Sequence, residues 1–137
     1  MRKIYSNIIT EKDIAKFKDI DNKILGSKSS IVNNIINIIK KDFDFTIKPN
    51  SYCLVEHYPA GHDWHVDSGN NGHMSWCEIG VSILLTKPTS GGDTYYKDGD
   101  KVVKSNRELY DIVVHTSDEL HKVDPHEGYR SVFLMFI

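Results

Sequence analysis

The sequence predicts a mainly β protein whose helices are confined to its N-terminal third. Three observations carry this. Apolar residues in the first forty positions recur at helical spacing, the period shifts to two from Phe43 onward, and the later segments are short and separated by glycine, proline and asparagine. Many short strands with punctuated turns make a sandwich or a barrel.

Taken in order, Thr10 precedes Glu11-Lys12-Asp13-Ile14 and is placed to cap a first helix, with Asp13 favouring the positive end of its dipole. Ile14, Phe17 and Ile20 supply one apolar stripe, and Gly26-Ser27 ends the pattern. Ser29 or Ser30 caps a second helix, in which Ile31, Ile35, Ile38 and Ile39 share a side opposite Asn33, Asn34 and Asn37. Phe43, Phe45 and Ile47 then alternate with polar neighbours. Strands are predicted over 52–58, 64–67, 78–86, 94–96, 109–115, 119–123 and 130–137. The expectation is one domain over 1–137, with a helical scaffold over 1–42 covering a β core over 43–137.

Composition narrows the function classes. A formal charge of −2 gives no global basic footprint, which weighs against nucleic acid as a partner. Two cysteines, Cys53 and Cys77, cannot build a disulfide framework or a cysteine-rich zinc site, and read as small buried hydrophobes. The first residues lack the apolar stretch of a signal peptide, and the longest apolar run, 132–137, is too short to cross a bilayer. A cytoplasmic, reducing environment with no membrane partner is the expectation.

The chemistry concentrates in His65-Val66-Asp67, His121 and Arg130. Two imidazoles and one carboxylate form the open-faced ligand set of a non-haem iron(II) site. Alternate residues of a strand share a face, so His65 and Asp67 are expected to point the same way. With 7 histidines and 13 aspartates in 137 residues, a His-x-Asp triplet arises roughly 0.7 times by chance, so the triplet needs its context. Arg130, nine residues after His121, can fork onto a carboxylic acid bound beside the metal. Tyr58 is placed either to add a hydroxyl to that acid or to pack as a strand-end aromatic. His115 competes with His121 as third ligand but reads better as a strand-end residue. His126 falls in a turn and is expected in solvent. His62 and Asp63 are expected to face away from His65 and Asp67 respectively. The segment 68–77 reads as a loop over the site, with His73 and Trp76 either contacting substrate or anchoring the loop. Asp98-Gly99-Asp100 reads as a hairpin turn rather than a calcium loop.

Tyr58-Pro59-Ala60-Gly61, His65-Val66-Asp67, Val81-Ser82-Ile83-Leu84-Leu85, Gly91-Gly92-Asp93, His121-Lys122-Val123-Asp124-Pro125 and Gly128-Tyr129-Arg130 follow one another in an order that resembles the 2-oxoglutarate- and iron(II)-dependent dioxygenases, in particular their prolyl-hydroxylase-like branch. The resemblance covers the chain from about Tyr52 to Ile137. It implies a double-stranded β-helix (jelly roll) with Fe(II) held by His65, Asp67 and His121, and 2-oxoglutarate as cosubstrate held by Arg130 with Tyr58. It implies hydroxylation of a C–H bond with dioxygen, giving succinate and carbon dioxide as coproducts. A peptidyl proline is the first substrate expectation, and a free amino acid or small metabolite the second. Two rivals stand beside this reading. One is a cupin-like metal-binding or sensing module without turnover. The other is an oxidative nucleic-acid demethylase, against which the absence of a second arginine after Arg130 also counts. Halogenating relatives replace the carboxylate ligand that Asp67 supplies here.

Overall fold

The structure, a computed structural model, describes every residue except Asp21 and 70–72, and every side chain of those except that of Asp19. Among the described residues, eleven strands are arranged as β1 (Arg2–Tyr5), β2 (Tyr52–Glu56), β3 (His62–His65), β4 (Ile79–Thr86), β5 (Ser90–Gly91), β6 (Thr94–Asp98), β7 (Lys101–Lys104), β8 (Ile112–Thr116), β9 (His121–Val123), β10 (His126–Glu127) and β11 (Ser131–Phe136). They form a five-stranded sheet in the order β1-β8-β4-β11-β2 and a four-stranded sheet in the order β3-β9-β6-β7, with β10 and β5 pairing separately. Every pairing between these strands is antiparallel. The predicted β core is therefore present, with each predicted strand trimmed or shifted by a few residues at its ends.

The N-terminal elements differ more. The second predicted helix forms as α1 (Ser30–Ile39), and Ser29 caps it by accepting from the Val32 N–H. Ile31, Val32, Ile35, Ile36 and Ile39 are buried along one side. The first predicted helix forms as a 3-10 segment, Glu11–Asp19. Asp13 N–H donates to the Thr10 carbonyl (2.9 Å), and the Thr10 N–H donates back to the Asp13 carboxylate (3.0 Å). Six of its nine residues are charged (Glu11, Lys12, Asp13, Lys16, Lys18, Asp19), and Phe17 is its one deeply buried anchor. So little apolar surface selects no full α-helical face, and the tighter winding is retained. Residues 43–47 keep the predicted alternation, with Phe43 and Phe45 buried between exposed Asp44 and Thr46, but no strand pairs with them. Residues 2–5, assigned no element from sequence, are the edge strand β1 against β8.

The five-stranded sheet is two-faced, and this positions everything else. Ile79, Val81, Ile83 and Leu85 on β4, Ile112 and Val114 on β8, and Phe133 and Met135 on β11 pack with α1 and Phe17 in one apolar cluster. The Phe17 and Phe133 rings lie 4.7 Å apart. The alternate residues, Gly80 and Ser82, Val113 and His115, and Val132, Leu134 and Phe136, turn to the other side and line a cavity closed by the four-stranded sheet. Period-two alternation thus assigns one face to stability and the other to chemistry. Cys53 and Cys77 are buried, as expected. Gly99 and Asp100 form the two-residue loop of the β6–β7 hairpin between paired Asp98 and Lys101, Gly99 taking a positive φ of 61°. Among the described residues no helix is long and apolar enough to cross a membrane.

Phe133→Ala removes the ring at the centre of the helix-facing core and is expected to cost about 3–5 kcal/mol of folding stability. Ile4→Ala, on the edge strand and 39% exposed, is expected to cost less than about 0.5 kcal/mol. Urea denaturation of the two variants checks the contrast, and equal losses would remove the assignment of the core to that face.

Candidate functional site

The cavity between the sheets has a volume of about 130 Å³ and contains His65, Asp67, His115, His121, Tyr96, Arg107 and Arg130 in its lining. Two rows of side chains face each other across it. In the four-stranded sheet, His65 pairs with His121 and His121 with Tyr96 across adjacent strands. In the five-stranded sheet, Phe136 pairs with Gly80 and Gly80 with His115. Asp67 lies in the turn that follows β3, its carboxylate lodged between the rows. The expected shared direction of His65 and Asp67 is realised, although the strand ends at His65.

The donor atoms of His65, Asp67 and His121 all lie within 4.8 Å of one another. His121 Nε2 stands 3.4 Å and His65 Nε2 3.9 Å from Asp67 Oδ1. Both imidazoles are oriented from behind by backbone carbonyls two residues earlier. His65 Nδ1 lies 2.7 Å from the Asp63 oxygen and His121 Nδ1 2.9 Å from that of Glu119. A carbonyl can only accept, so Nδ1 carries the proton and each Nε2 presents a lone pair to the cavity. Burial, reinforced by neighbouring His115, pushes His121 down to about 4, which keeps its ring neutral. A cluster of two imidazole nitrogens and one carboxylate oxygen, converging on one point, fits a divalent metal ion.

The second carboxylate oxygen is occupied differently. His115 Nε2 donates to Asp67 Oδ2 at 2.6 Å, and the Tyr96 hydroxyl lies 2.9 Å from His115 Nδ1. Burial alone would raise the Asp67 carboxyl, but the His115 hydrogen bond, helped by the surrounding imidazoles, outweighs it and holds it below the usual range. His115 therefore bonds to a member of the cluster through the outer oxygen and leaves Oδ1 facing His65 and His121. The Asp67–His115 pair has room only because residue 80 is glycine, since a Cβ there would collide with Asp67 Oδ2 and His115 Nε2.

Arg130, immediately before β11, is 4% exposed and reaches into the same cavity. Its carbonyl accepts from His57 Nδ1 (2.8 Å), and Gly92 leaves the space its side chain crosses. Among the described residues no carboxylate or hydroxyl pairs with its guanidinium. Glu56, the nearest acid named among its influences, is instead 2.9 Å from His62 Nε2.

Other sequence-predicted residues lie elsewhere. Tyr58 is 49% exposed, stacked on His62 with ring centres 4.8 Å apart, and is not among the cavity-lining residues. Trp76 sits edge-on to Tyr52 at 6.2 Å, and Tyr52 in turn packs on the cavity residue Phe136. His73 is exposed, and the loop tip at 70–72 lies outside the described residues. Two expectations are corrected. His62 shares the cavity with His65, because the β3–β9 register shifts between them: three steps on β3 oppose two on β9. His126, expected in solvent, is 7% exposed on β10 with its ring 5.6 Å from that of His57. Sequence reading also passed over Tyr96, Gly80 and Arg107. Gly80 inside an apolar strand was the available signal for a close approach.

No family model and no curated protein matches the sequence. Solved structures do match. A Pseudomonas putida prolyl-4-hydroxylase aligns over 99% of this chain and 83% of its own, with a TM-score of 0.72 at 13% identity. A Trichoplax adhaerens prolyl hydroxylase, solved in complex with a peptide fragment of the hypoxia inducible factor oxygen degradation domain, aligns over 98% and 82% with a TM-score of 0.70 at 14% identity. The chain has the prolyl-hydroxylase fold. A 2OG-Fe(II) oxygenase family oxidoreductase from Burkholderia pseudomallei matches at a TM-score of 0.58 and 14% identity over 79% of this chain, which spans about half (56%) of that protein. Identities this low establish the architecture alone, so within the prolyl-hydroxylase fold the function must be argued from the cavity.

Gly80→Ala places a methyl group against the Asp67–His115 pair and is expected to destabilise the protein by about 1–3 kcal/mol, as overpacking does. A chemical denaturation midpoint unchanged from wild type would show that the pair does not depend on the missing side chain.

Proposed function

We propose that the chain is a 2-oxoglutarate- and Fe(II)-dependent dioxygenase that hydroxylates a C–H bond, with its facing sheets forming a double-stranded β-helix. The observation that carries the reading is the unpaired, buried guanidinium of Arg130 in the same small cavity as the His65–Asp67–His121 cluster. A buried cation without an acid partner is costly unless a ligand supplies the anion. A metal-binding cluster at one end and a carboxylate receptor at the other fit a short dicarboxylic keto acid. A metal-storing or sensing module has no use for Arg130 in that position.

On this reading His65, Asp67 and His121 hold Fe(II), which with dioxygen and 2-oxoglutarate supplies the oxidising chemistry and releases succinate and carbon dioxide. The residues of the chain position and exclude. His115 holds Asp67 Oδ2 and leaves Oδ1 toward His65 and His121, so the carboxylate would offer a metal ion a single oxygen. Arg130 forks onto the far carboxylate of the cosubstrate, a geometry lysine does not reproduce. Val113, Val132, Leu134 and Phe136 supply apolar lining to the cavity. The substrate we propose is a peptidyl proline, supported by the prolyl hydroxylases among the fold relatives, one of them with a peptide bound.

The direct test is succinate release from 2-oxoglutarate under air with ferrous iron, screened against proline-containing peptides and free amino acids. Asp67→Ala is expected to abolish metal binding and turnover while leaving the fold. His121→Ala is expected to do the same, and activity that survives it but is lost in His115→Ala would exchange the two histidines' roles. Arg130→Ala is expected to weaken 2-oxoglutarate by roughly 30-fold to a few thousandfold, corresponding to about 2–5 kcal/mol for one partner of a buried charge pair. Arg130→Lys should recover only part of that, and an unchanged cosubstrate titration in both variants would move the carboxylate receptor elsewhere.

A further inference from the structure

Arg107 faces the cavity, and the proposed function leaves it without a task. It lies in the connection between β7 and β8, and one guanidinium nitrogen donates to the Ser82 hydroxyl, on the cavity face of β4 two residues from Gly80. Serine is a neutral partner that uses one of five donors. Among the described residues no carboxylate lies within ion-pair distance of Arg107; Asp111 and Asp93 attract it from farther away, and Arg130 repels it. Burial and that repulsion lower its guanidinium to about 10, so it still carries its charge at neutral pH.

Two guanidinium groups therefore enter one cavity of about 130 Å³ from different elements, and neither has an acid of the protein on it. Arg107 comes from the approach to β8 and Arg130 from the start of β11. Both also line a neighbouring open groove, so they stand where the cavity and that groove meet. Like charges at close quarters in a low-dielectric interior disfavour each other, and an anion between them reverses the sign of the interaction. A carboxylate has two oxygens with about four acceptor positions, enough to receive two guanidinium forks.

We propose that Arg107 is a second carboxylate-binding residue, which together with Arg130 holds the far carboxylate of 2-oxoglutarate and selects a dicarboxylic keto acid over a monocarboxylic one. This rests on the function proposed above. A keto acid lacking the far carboxylate would leave both guanidiniums buried without an anion, and a site that loses its polar partner in this way discriminates strongly.

The test is calorimetric titration of the Mn(II)-loaded protein, without turnover, with 2-oxoglutarate and with 2-oxobutyrate, which has the same keto-acid end and no second carboxylate. The wild type is expected to bind 2-oxoglutarate far more tightly. Arg107→Met is expected to weaken 2-oxoglutarate by about 10- to 100-fold while changing 2-oxobutyrate less than about threefold, and Arg107→Lys should fall between. If Arg107→Met does not fold, Arg107→Gln keeps a donor for Ser82 without the charge and is expected to show the same selective loss. A variant that leaves 2-oxoglutarate unchanged, or weakens both acids equally, overturns the inference. A wild-type protein that binds neither acid overturns the proposed function and this inference together, whereas tight wild-type binding with an indifferent Arg107 overturns this inference alone.

Discussion

A carboxylate that is 7% exposed needs compensation in every direction, and Asp67 organises the structure around that need. Three imidazoles converge on it, His115 through Oδ2 and His65 and His121 toward Oδ1. They come from three strands in two sheets, so the carboxylate is a point at which the two sheets meet. Gly80 supplies the clearance, and Tyr96 extends the hydrogen-bonded chain from His115 to the far side of the cavity. The chain ends in further charge. Arg2 lies over the Tyr96 ring at 4.6 Å and forms ion pairs with Asp98 and Glu119. The edge strand β1, which looks incidental in sequence, thereby buttresses the wall of the site.

The five-stranded sheet makes this compatible with stability. Ile79, Val81, Ile83, Leu85, Ile112, Val114, Phe133 and Met135 on its helix-facing side are apolar, and they carry the hydrophobic stabilisation. Its cavity-facing residues are released from that duty and include glycine, serine and histidine. Polar groups at these positions would be errors in a sheet covered on both sides by apolar layers. Here they satisfy one another or await a ligand.

What was legible in the sequence follows from how local each determinant is. The Ile31–Ile39 stripe, the β4 and β11 runs and the Gly99 hairpin depend on spacing within a few residues, and they were readable. The cluster of His65, Asp67 and His121 was readable because residue type and order limit which histidine a strand can return to the triplet. Features set by pairing were not. The β3 register shift that turns His62 inward depends on β9, and the burial of His126 depends on a two-residue pairing with Gly91. Residues 43–47 alternate as a strand does, yet alternation specifies burial on one side and leaves hydrogen-bond partners unspecified. Arg107, in a polar stretch between strands, has nothing local to mark it. Its role becomes visible only when Ser82 and Arg130 arrive beside it.

The charges of the cavity argue that its two ligands belong together on the proposed reading. Glu56 and His62 engage each other, which leaves Asp67 against Arg107 and Arg130. A divalent cation alone would add its full charge to an interior already cationic, and a dicarboxylate alone would meet the unshielded Asp67 at the metal end. Entering together, cation and dianion leave the net charge of the cavity unchanged, while each meets its opposite at short range. The low dielectric that makes either one costly alone strengthens both contacts when they are paired. On the proposed reading the arginines take one end of the cosubstrate and the cluster around Asp67 the other, and both contacts follow from the same confined charge.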